Sequence, residues 1–424
     1  MRQILDLHIH SRYSRACSPR LTLTNIENTC RVKGVDIIAT GDFTYPEWFE
    51  SIKKELTETG TGSGLYKLKT AADDRVKFIL STEVALIYKD QDRVRRIHLV
   101  IHAPNIKAAE GLNKQLDKKF NIRSDGRPIL GIKAPELVAL ILKIDPNFLI
   151  YPAHIWTPWF SVFGSKSGFD TLEECFKEQT KNIYAFETGL SSDPDMNWRL
   201  SALDRLTVLS NSDAHSPDNI AREANVMEIS EPITYRKIYD IIKNHNKPDK
   251  PGKDGWEFTL EFYPEEGMYH FDGHRDCDFS CEPAVSRKLK NICPKCRKPL
   301  TIGVLNRVEE LADRPLGFKP KNAVPFKKLV ELDKIIAEAL DIKSRNSQAV
   351  RKQYNWLIKE FGSELFILLE LDLAKTGSRI DPRISEGIKR VRSGDLIIKP
   401  GFDGQYGKIN IFPATRSGGQ KSLL

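Results

Sequence analysis

His8 and His10 close the segment DLHIH (6–10), and Asp42, Glu83, His98, His102, His154, Asp213 and His215 each fall in or just after a later apolar run. Alternate side chains of an extended strand share a face, so the imidazoles of His8 and His10 can grip one ion. Mixed imidazole and carboxylate donors suit zinc, manganese or iron, and a carboxylate such as Glu83 can bridge two cations. So many ligands exceed what one tetrahedral ion takes, and the pattern points to a cluster of two or three metals. Such clusters ionise a bound water and clamp the attacking and leaving oxygens of a phosphoryl transfer. A second constellation, Cys277-x3-Cys281-x11-Cys293-x2-Cys296, has the paired spacing of a structural zinc module. Four thiolates leave no open position, so an ion there holds the fold. His270 and His274 precede the first cysteine, and either can replace Cys281 as a ligand.

The elements that position the first set are strands. Seven apolar runs, QILDL (3–7), VDIIAT (35–40), VKFIL (76–80), RIHLVI (96–101), FLIYP (148–152), NIYAF (182–186) and RLTVL (205–209), alternate with helix-length segments. Six of the seven carry a metal-competent residue at or near the C-terminal end, the face on which parallel α/β barrels and sheets gather their catalytic loops. The expected fold is α/β, a strand–helix barrel or sheet over 1–245. A Lys-, Pro- and Gly-rich stretch (243–255) then gives way to a cysteine module over 246–305. Apolar residues at three- and four-residue spacing make 306–412 helical, and 413–424 is a Gly/Ser-rich tail.

The chain has 424 residues, with 40% hydrophobic and 29% charged side chains, which excludes collagenous, disordered and membrane classes. No apolar stretch reaches the roughly 18 residues of a membrane span, and the N-terminus has no signal layout, so an intracellular, cytoplasmic, nucleoid-associated protein is expected. Of the net charge of +8, the last 124 residues carry +7, a candidate polyanion-binding surface.

The segments DLHIH, TGD (40–42), STEV (81–84), IHLVIHAP (97–104), PAH (152–154) and NSDAH (211–215) resemble the successive motifs of the PHP (polymerase and histidinol phosphatase) family. That resemblance covers 1–245 and implies a distorted seven-stranded βα barrel holding three metals. It places His8, His10, Glu83 and Asp213 on one ion, Glu83, His98 and His154 on the second, and Asp42 with His215 on the third. Asp42 stands where most members have His, which marks the third position as the divergent one. His98 is favoured over His102 by the motif.

Further stretches, ETGLSSDPDMNWRLS (187–201), YHFDGHRDC (269–277), CPKCRKPLTIGVLNRVEELADRP (293–315) and KPGFDGQYGKI (399–409), are similar to the endonuclease Q family of PHP-type DNA-repair nucleases. The resemblance implies cleavage 5′ to hypoxanthine, uracil, xanthine and abasic sites in double- or single-stranded DNA. Divalent Zn, Mn or Mg would serve the barrel and Zn the cysteine module. Asp193 is expected as a catalytic carboxylate beside Asp213 and His154, with a helix N-cap as its other reading. A nuclease that selects altered bases must expose them, and the aromatic loop 155–170 offers Trp159 and Phe163 as stacking surfaces. Arg15 and Arg222 are candidate phosphate contacts. The terminal QKSLL (420–424) resembles a shortened sliding-clamp box. Alternatives are a small-molecule phosphoesterase on the same barrel and a non-catalytic, helicase-associated nucleic-acid module.

Overall fold

All seven apolar runs become strands in the structure, a computed structural model that describes residues 1–244 and 254–413. Arg2–Asp6, Ile37–Ala39 and Lys77–Ile79 lie side by side in parallel, with Leu5 opposite Ile37 and Ile38 opposite Phe78. Helix Leu23–Lys33 makes the first crossover. Thr22 caps its start by accepting the Asn25 N–H, and Gly34 ends it at φ +88°, a left-handed value that glycine adopts without strain. A β-carbon at Gly34 would also lie 2.4 Å from Ser363 Oγ, so this turn packs tightly against the C-terminal helices.

The expected barrel does not close among the described residues. The strands instead form an eight-stranded sheet, a four-stranded sheet and a two-stranded parallel pair, Ala185–Glu187 with Thr207–Leu209, beside two small hairpins. Two physical causes are visible. First, the strand–helix rhythm breaks at residue 81, where Ser81–Asp90 and Arg93–His102 form a long antiparallel hairpin in register from Ser81↔His102 to Asp90↔Arg93. Second, side chains replace the backbone ladder where the first and last core strands meet. Leu7 N–H donates to Asn211 Oδ1 at 3.0 Å, Ser212 N–H to Asp6 Oδ1 at 3.1 Å, and Ser210 N–H to Asn225 Oδ1 at 3.0 Å. These bonds satisfy buried backbone groups without a continuous sheet.

The sheet also crosses the boundary expected near 245. Gly255–Glu261 pairs antiparallel with Ala224–Glu228, and Phe326–Lys328 adds a parallel strand outside it. The region expected to be mainly helical therefore returns one strand to the first sheet before its helices Leu332–Ala339, Gln348–Phe361, Glu364–Leu369 and Pro382–Ser393. Ser347, Ser363 and Asp381 cap three of those helices. Among the described residues no helix is long and apolar enough to cross a membrane. The clamp-like segment 420–424 lies outside the described residues.

Candidate metal centre

Strand Arg2–Asp6 delivers His8 and His10 to one end of the sheets, and an isolated parallel bridge between Ile9 and Ala214 brings the Asp213 loop beside them. Ligand atoms of His8, His10 and Asp213 lie within 4.8 Å of one another, and so do those of Glu83, His98 and His154. Glu83 joins the two groups. Its Oε1 is 2.8 Å from His98 Nδ1, 3.2 Å from His154 Nε2 and 3.8 Å from His8 Nε2, while its Oε2 is 3.5 Å from His10 Nε2. Asp213 Oδ1 lies 3.1 Å from His10 Nε2 and 3.7 Å from His8 Nε2.

These three atoms, His8 Nε2, His10 Nε2 and Asp213 Oδ1, are buried and make no aligned hydrogen bond. Buried polar atoms are rarely left so, and a shared ion would satisfy all three at once. Ligands about 2.0–2.2 Å from one ion stand roughly 3 Å or more apart, the spacing seen here. The donor set therefore fits divalent metals, with Glu83 able to serve two of them.

A layer of carboxylates aims the imidazoles. Glu187 meets His8 Nδ1 at 3.0 and 3.1 Å, and also accepts the His154 N–H at 2.9 Å and the Asn211 amide at 2.8 Å. Asp42 Oδ1 meets His10 Nδ1 at 3.0 Å, while its Oδ2 accepts the Ser11 N–H, the Ser11 hydroxyl and the Ser14 hydroxyl at 2.7–2.8 Å. Such partners fix ring orientation and leave each Nε2 directed at the ion. Burial would lower the His8 pKa, but Glu187, Asp213 and Glu83 outweigh it and raise the value to about 9. His98 is pushed down to about 4 by burial, against the pull of Glu83. Glu83 stays far below the usual carboxylate range despite burial, because His98 and Arg127 stabilise its charge. Asp42, His154 and Asp213 adopt positive φ values of 47°, 29° and 45°, backbone strain of the kind that clusters at working sites.

Several expected placements change. Asp42 joins neither ligand group, since both its oxygens are engaged in holding His10 and the 11–14 loop. His215 places its Nδ1 2.8 Å from the Asp213 carbonyl and its ring 4.6 Å from that of His10, and neither it nor Asp42 is among the ligand groups found in the described residues. His102 belongs to the core, with Nε2 3.1 Å from the Tyr151 hydroxyl and a pKa pushed down to about 3 by burial. Asp193 is an N-cap. Its Oδ1 accepts the Met196 N–H and its Oδ2 pairs with Lys328 at 2.7 Å, so neither oxygen is offered to the metal groups. Phe163 is 1% exposed and packs on Trp156 at 5.0 Å, a core ring rather than a stacking surface. Trp159 is 37% exposed, edge-on to Tyr269 at 5.5 Å, and Phe160 lies 4.7 Å from His98. Arg15 is exposed, with its N–H on Asp125. Arg222 Nε donates to the Ser212 carbonyl at 2.9 Å, so it buttresses the Asp213 loop.

Two residues of the site escape the sequence reading. Glu187 directly follows NIYAF, the one run that carried no expected ligand, and ends the strand Ala185–Glu187, so the strand-end rule itself pointed to it. Arg127, whose NH1 donates to Glu83 Oε2 at 3.1 Å, sits in a loop with no periodic signal.

The cysteine module groups His274, Cys277, Cys293 and Cys296, not four cysteines. Cys281 pairs with Asp272 at the far end of the hairpin Asp272–His274/Phe279–Cys281, whereas His274 stands at its loop end beside Cys277. Two residues along a strand are about 6–7 Å. Burial pushes the Cys281 thiol up to about 11. Against the upward push of burial, N–H groups of Cys296 and Lys295 hold Cys293 below its ordinary value, which favours a ligating thiolate.

Comparison with known proteins agrees with this geometry. Residues 331–395 match the family described as the MJ0043 C-terminal domain. The uncharacterised protein MJ0043 of Methanocaldococcus jannaschii is 34% identical over 260 residues, which is 61% of this chain but only 31% of that protein. An endonuclease Q solved in complex with a 27-mer duplex substrate bearing an abasic lesion at the active site is 31% identical, covering 98% of this chain and 99% of its own, with a TM-score of 0.82. The lesion-specific endonuclease PfuEndoQ from Pyrococcus furiosus superposes with a TM-score of 0.84 and is 30% identical over 98% of both chains. With that identity carried over the whole fold, the chain belongs to the endonuclease Q family of lesion-specific endonucleases.

Proposed function

We propose that the chain cleaves the DNA backbone on the 5′ side of deaminated bases, hypoxanthine, uracil and xanthine, and of abasic sites, using divalent metals held around Glu83. The observation that carries this reading is the pair of ligand groups joined through one carboxylate, with three buried ligand atoms left without aligned hydrogen bonds. His8, His10 and Asp213 would hold one ion, His98 and His154 the other, with Glu83 between them. Such ions, when bound, polarise a phosphodiester and lower the pKa of water at the site.

The chain's own residues supply the rest. Glu187 and Asp42 keep His8 and His10 in one orientation, and Arg222 holds the carbonyls that precede and carry Asp213. The centre opens to solvent on the side of Asp213 and His215, whose side chains are 20% and 29% exposed while His10 and Glu83 are fully buried. A scissile phosphate enters from that side. Trp159, exposed on the loop that follows His154, is placed for a displaced base to stack on. The +7 of the last 124 residues favours contact with flanking phosphates. The His274–Cys277–Cys293–Cys296 set suits a structural zinc ion.

The test sets the metal-loaded protein against labelled duplexes with one deoxyinosine, one deoxyuridine, one abasic site or none, beside a phosphomonoester. Incision confined to the lesion strands supports the reading. Turnover of the phosphomonoester alone would replace it with a small-molecule phosphoesterase.

A further inference from the structure

Arg127 lies on no regular element, yet three bonds lock it over the metal centre. Its N–H donates to Asp125 Oδ1 at 2.9 Å, the Gly126 N–H donates to the Tyr13 carbonyl at 3.0 Å, and the Ala85 N–H donates to the Pro128 carbonyl at 3.0 Å. Gly126 makes the approach possible, since a β-carbon there would sit 2.5 Å from both Asp42 Oδ2 and Ser14 Oγ. The loop thus touches the same carboxylate that aims His10. From this anchor the guanidinium reaches Glu83, with NH1 3.1 Å from Oε2, on the oxygen opposite the one shared by His98 and His154.

Only one of its nitrogens is used. Nε and NH2 have no hydrogen-bond partner among the described residues and are not among the buried unpartnered atoms, so they face accessible space. The side chain is 23% exposed while that of Glu83 is fully buried, so Arg127 runs from the buried carboxylate toward solvent. Burial works to lower its pKa, but Glu83 and Asp213 raise it, so its charge is permanent.

We infer that Arg127 is a catalytic residue that grips a non-bridging oxygen of the scissile phosphate through Nε and NH2 while NH1 stays on Glu83. The inference rests on the proposed nuclease reading and extends it. A guanidinium offers paired donors that match phosphate geometry, and a fixed cation aimed at charge developing on phosphorus oxygens lowers the barrier without reorganisation. Glu83 in turn holds the fork at one angle, so the same carboxylate that joins the two ligand groups also orients the anion clamp.

The experiment compares wild type, Arg127→Lys and Arg127→Ala as full-length, metal-loaded proteins in three assays. These are incision of an abasic duplex, calorimetric titration with inorganic phosphate, and metal content per chain. The expected result is a loss of kcat of about 100-fold or more for Arg127→Ala. Phosphate binding should weaken at least tenfold at unchanged metal content. Guanidinium ion added to Arg127→Ala should restore part of the rate, and Arg127→Lys should fall between, because a point charge lacks the fork. A rate within threefold of wild type, or a loss matched by lost metal, overturns the inference. Wild-type protein that leaves the abasic duplex intact overturns the nuclease reading instead.

Discussion

Glu187 holds His8 by its Nδ1 at 3.0 Å and, through its other oxygen, accepts the backbone N–H of His154 at 2.9 Å, so a single buried carboxylate orients one residue from each ligand group. Partners of this kind commonly change metal affinity by about 10–100-fold when removed. Glu187→Ala should therefore weaken binding of the active-site metals by that factor while zinc in the cysteine module stays. Metal titration followed by elemental analysis checks it, and unchanged affinity would mean that Glu187 is structural only.

The cysteine module separates two residues that the sequence spacing treats alike. Cys281→Ser should keep one zinc per chain, because Cys281 lies outside the group, whereas His274→Ala should lose zinc or bind it far more weakly. Zinc content after dialysis against a mild chelator reads the difference. Equal loss in both variants would restore the four-cysteine set.

The aromatic loop makes a similar contrast. Phe163→Ala should cost about 3–5 kcal/mol of stability, since it opens a cavity beside Trp156 in the core. Trp159→Ala should leave the denaturation midpoint nearly unchanged and slow incision at deoxyinosine. Chemical denaturation and single-turnover cleavage measure the two effects separately, and an unaltered rate in Trp159→Ala would remove the stacking role.

Behind the metal centre, burial raises the Glu261 carboxyl from its ordinary 4.5 to about 8. Between those values the folded chain holds a proton that the unfolded chain has released, so this group's contribution is full below about pH 4.5 and is lost as pH rises through 8. The slope reaches at most about 1.4 kcal/mol per pH unit. Glu261→Gln should flatten the fall in thermal midpoint between pH 5 and 8. Glu223, also raised by burial and by Glu261, leaves some slope in place. An identical pH profile in the variant would show that Glu261 is ionised in the fold.

Much of the site was legible because strand ends and metal donors coincide. His8, His10, Glu83, His154 and Asp213 were marked by position, His98 was preferred to His102 through the family motif, and the structure brings the six into two adjoining groups. Residues whose role depends on what lies opposite were not legible. Asp42 carries the right chemistry for a ligand, but Ser11 and Ser14 occupy its second oxygen, a fact set by loop closure. Asp193 turned out to cap a helix of four residues and to pair with Lys328, which lies 135 positions away in the sequence. The barrel was misjudged for a related reason. Each strand was readable, but closure depends on ladder partners, and the 81–102 hairpin and the Asn211 and Asn225 side chains redirect those partners.

The central claim, that the Glu83-linked centre cuts lesion DNA, is tested most directly with a 5′-labelled duplex carrying one abasic site, incubated with wild type and with Asp213→Ala in the presence of Mn²⁺. The account predicts a single cut 5′ to the abasic site by wild type, abolished by chelation and reduced at least 100-fold in Asp213→Ala. Equal cutting by the two proteins, or cutting that persists after chelation, would contradict it.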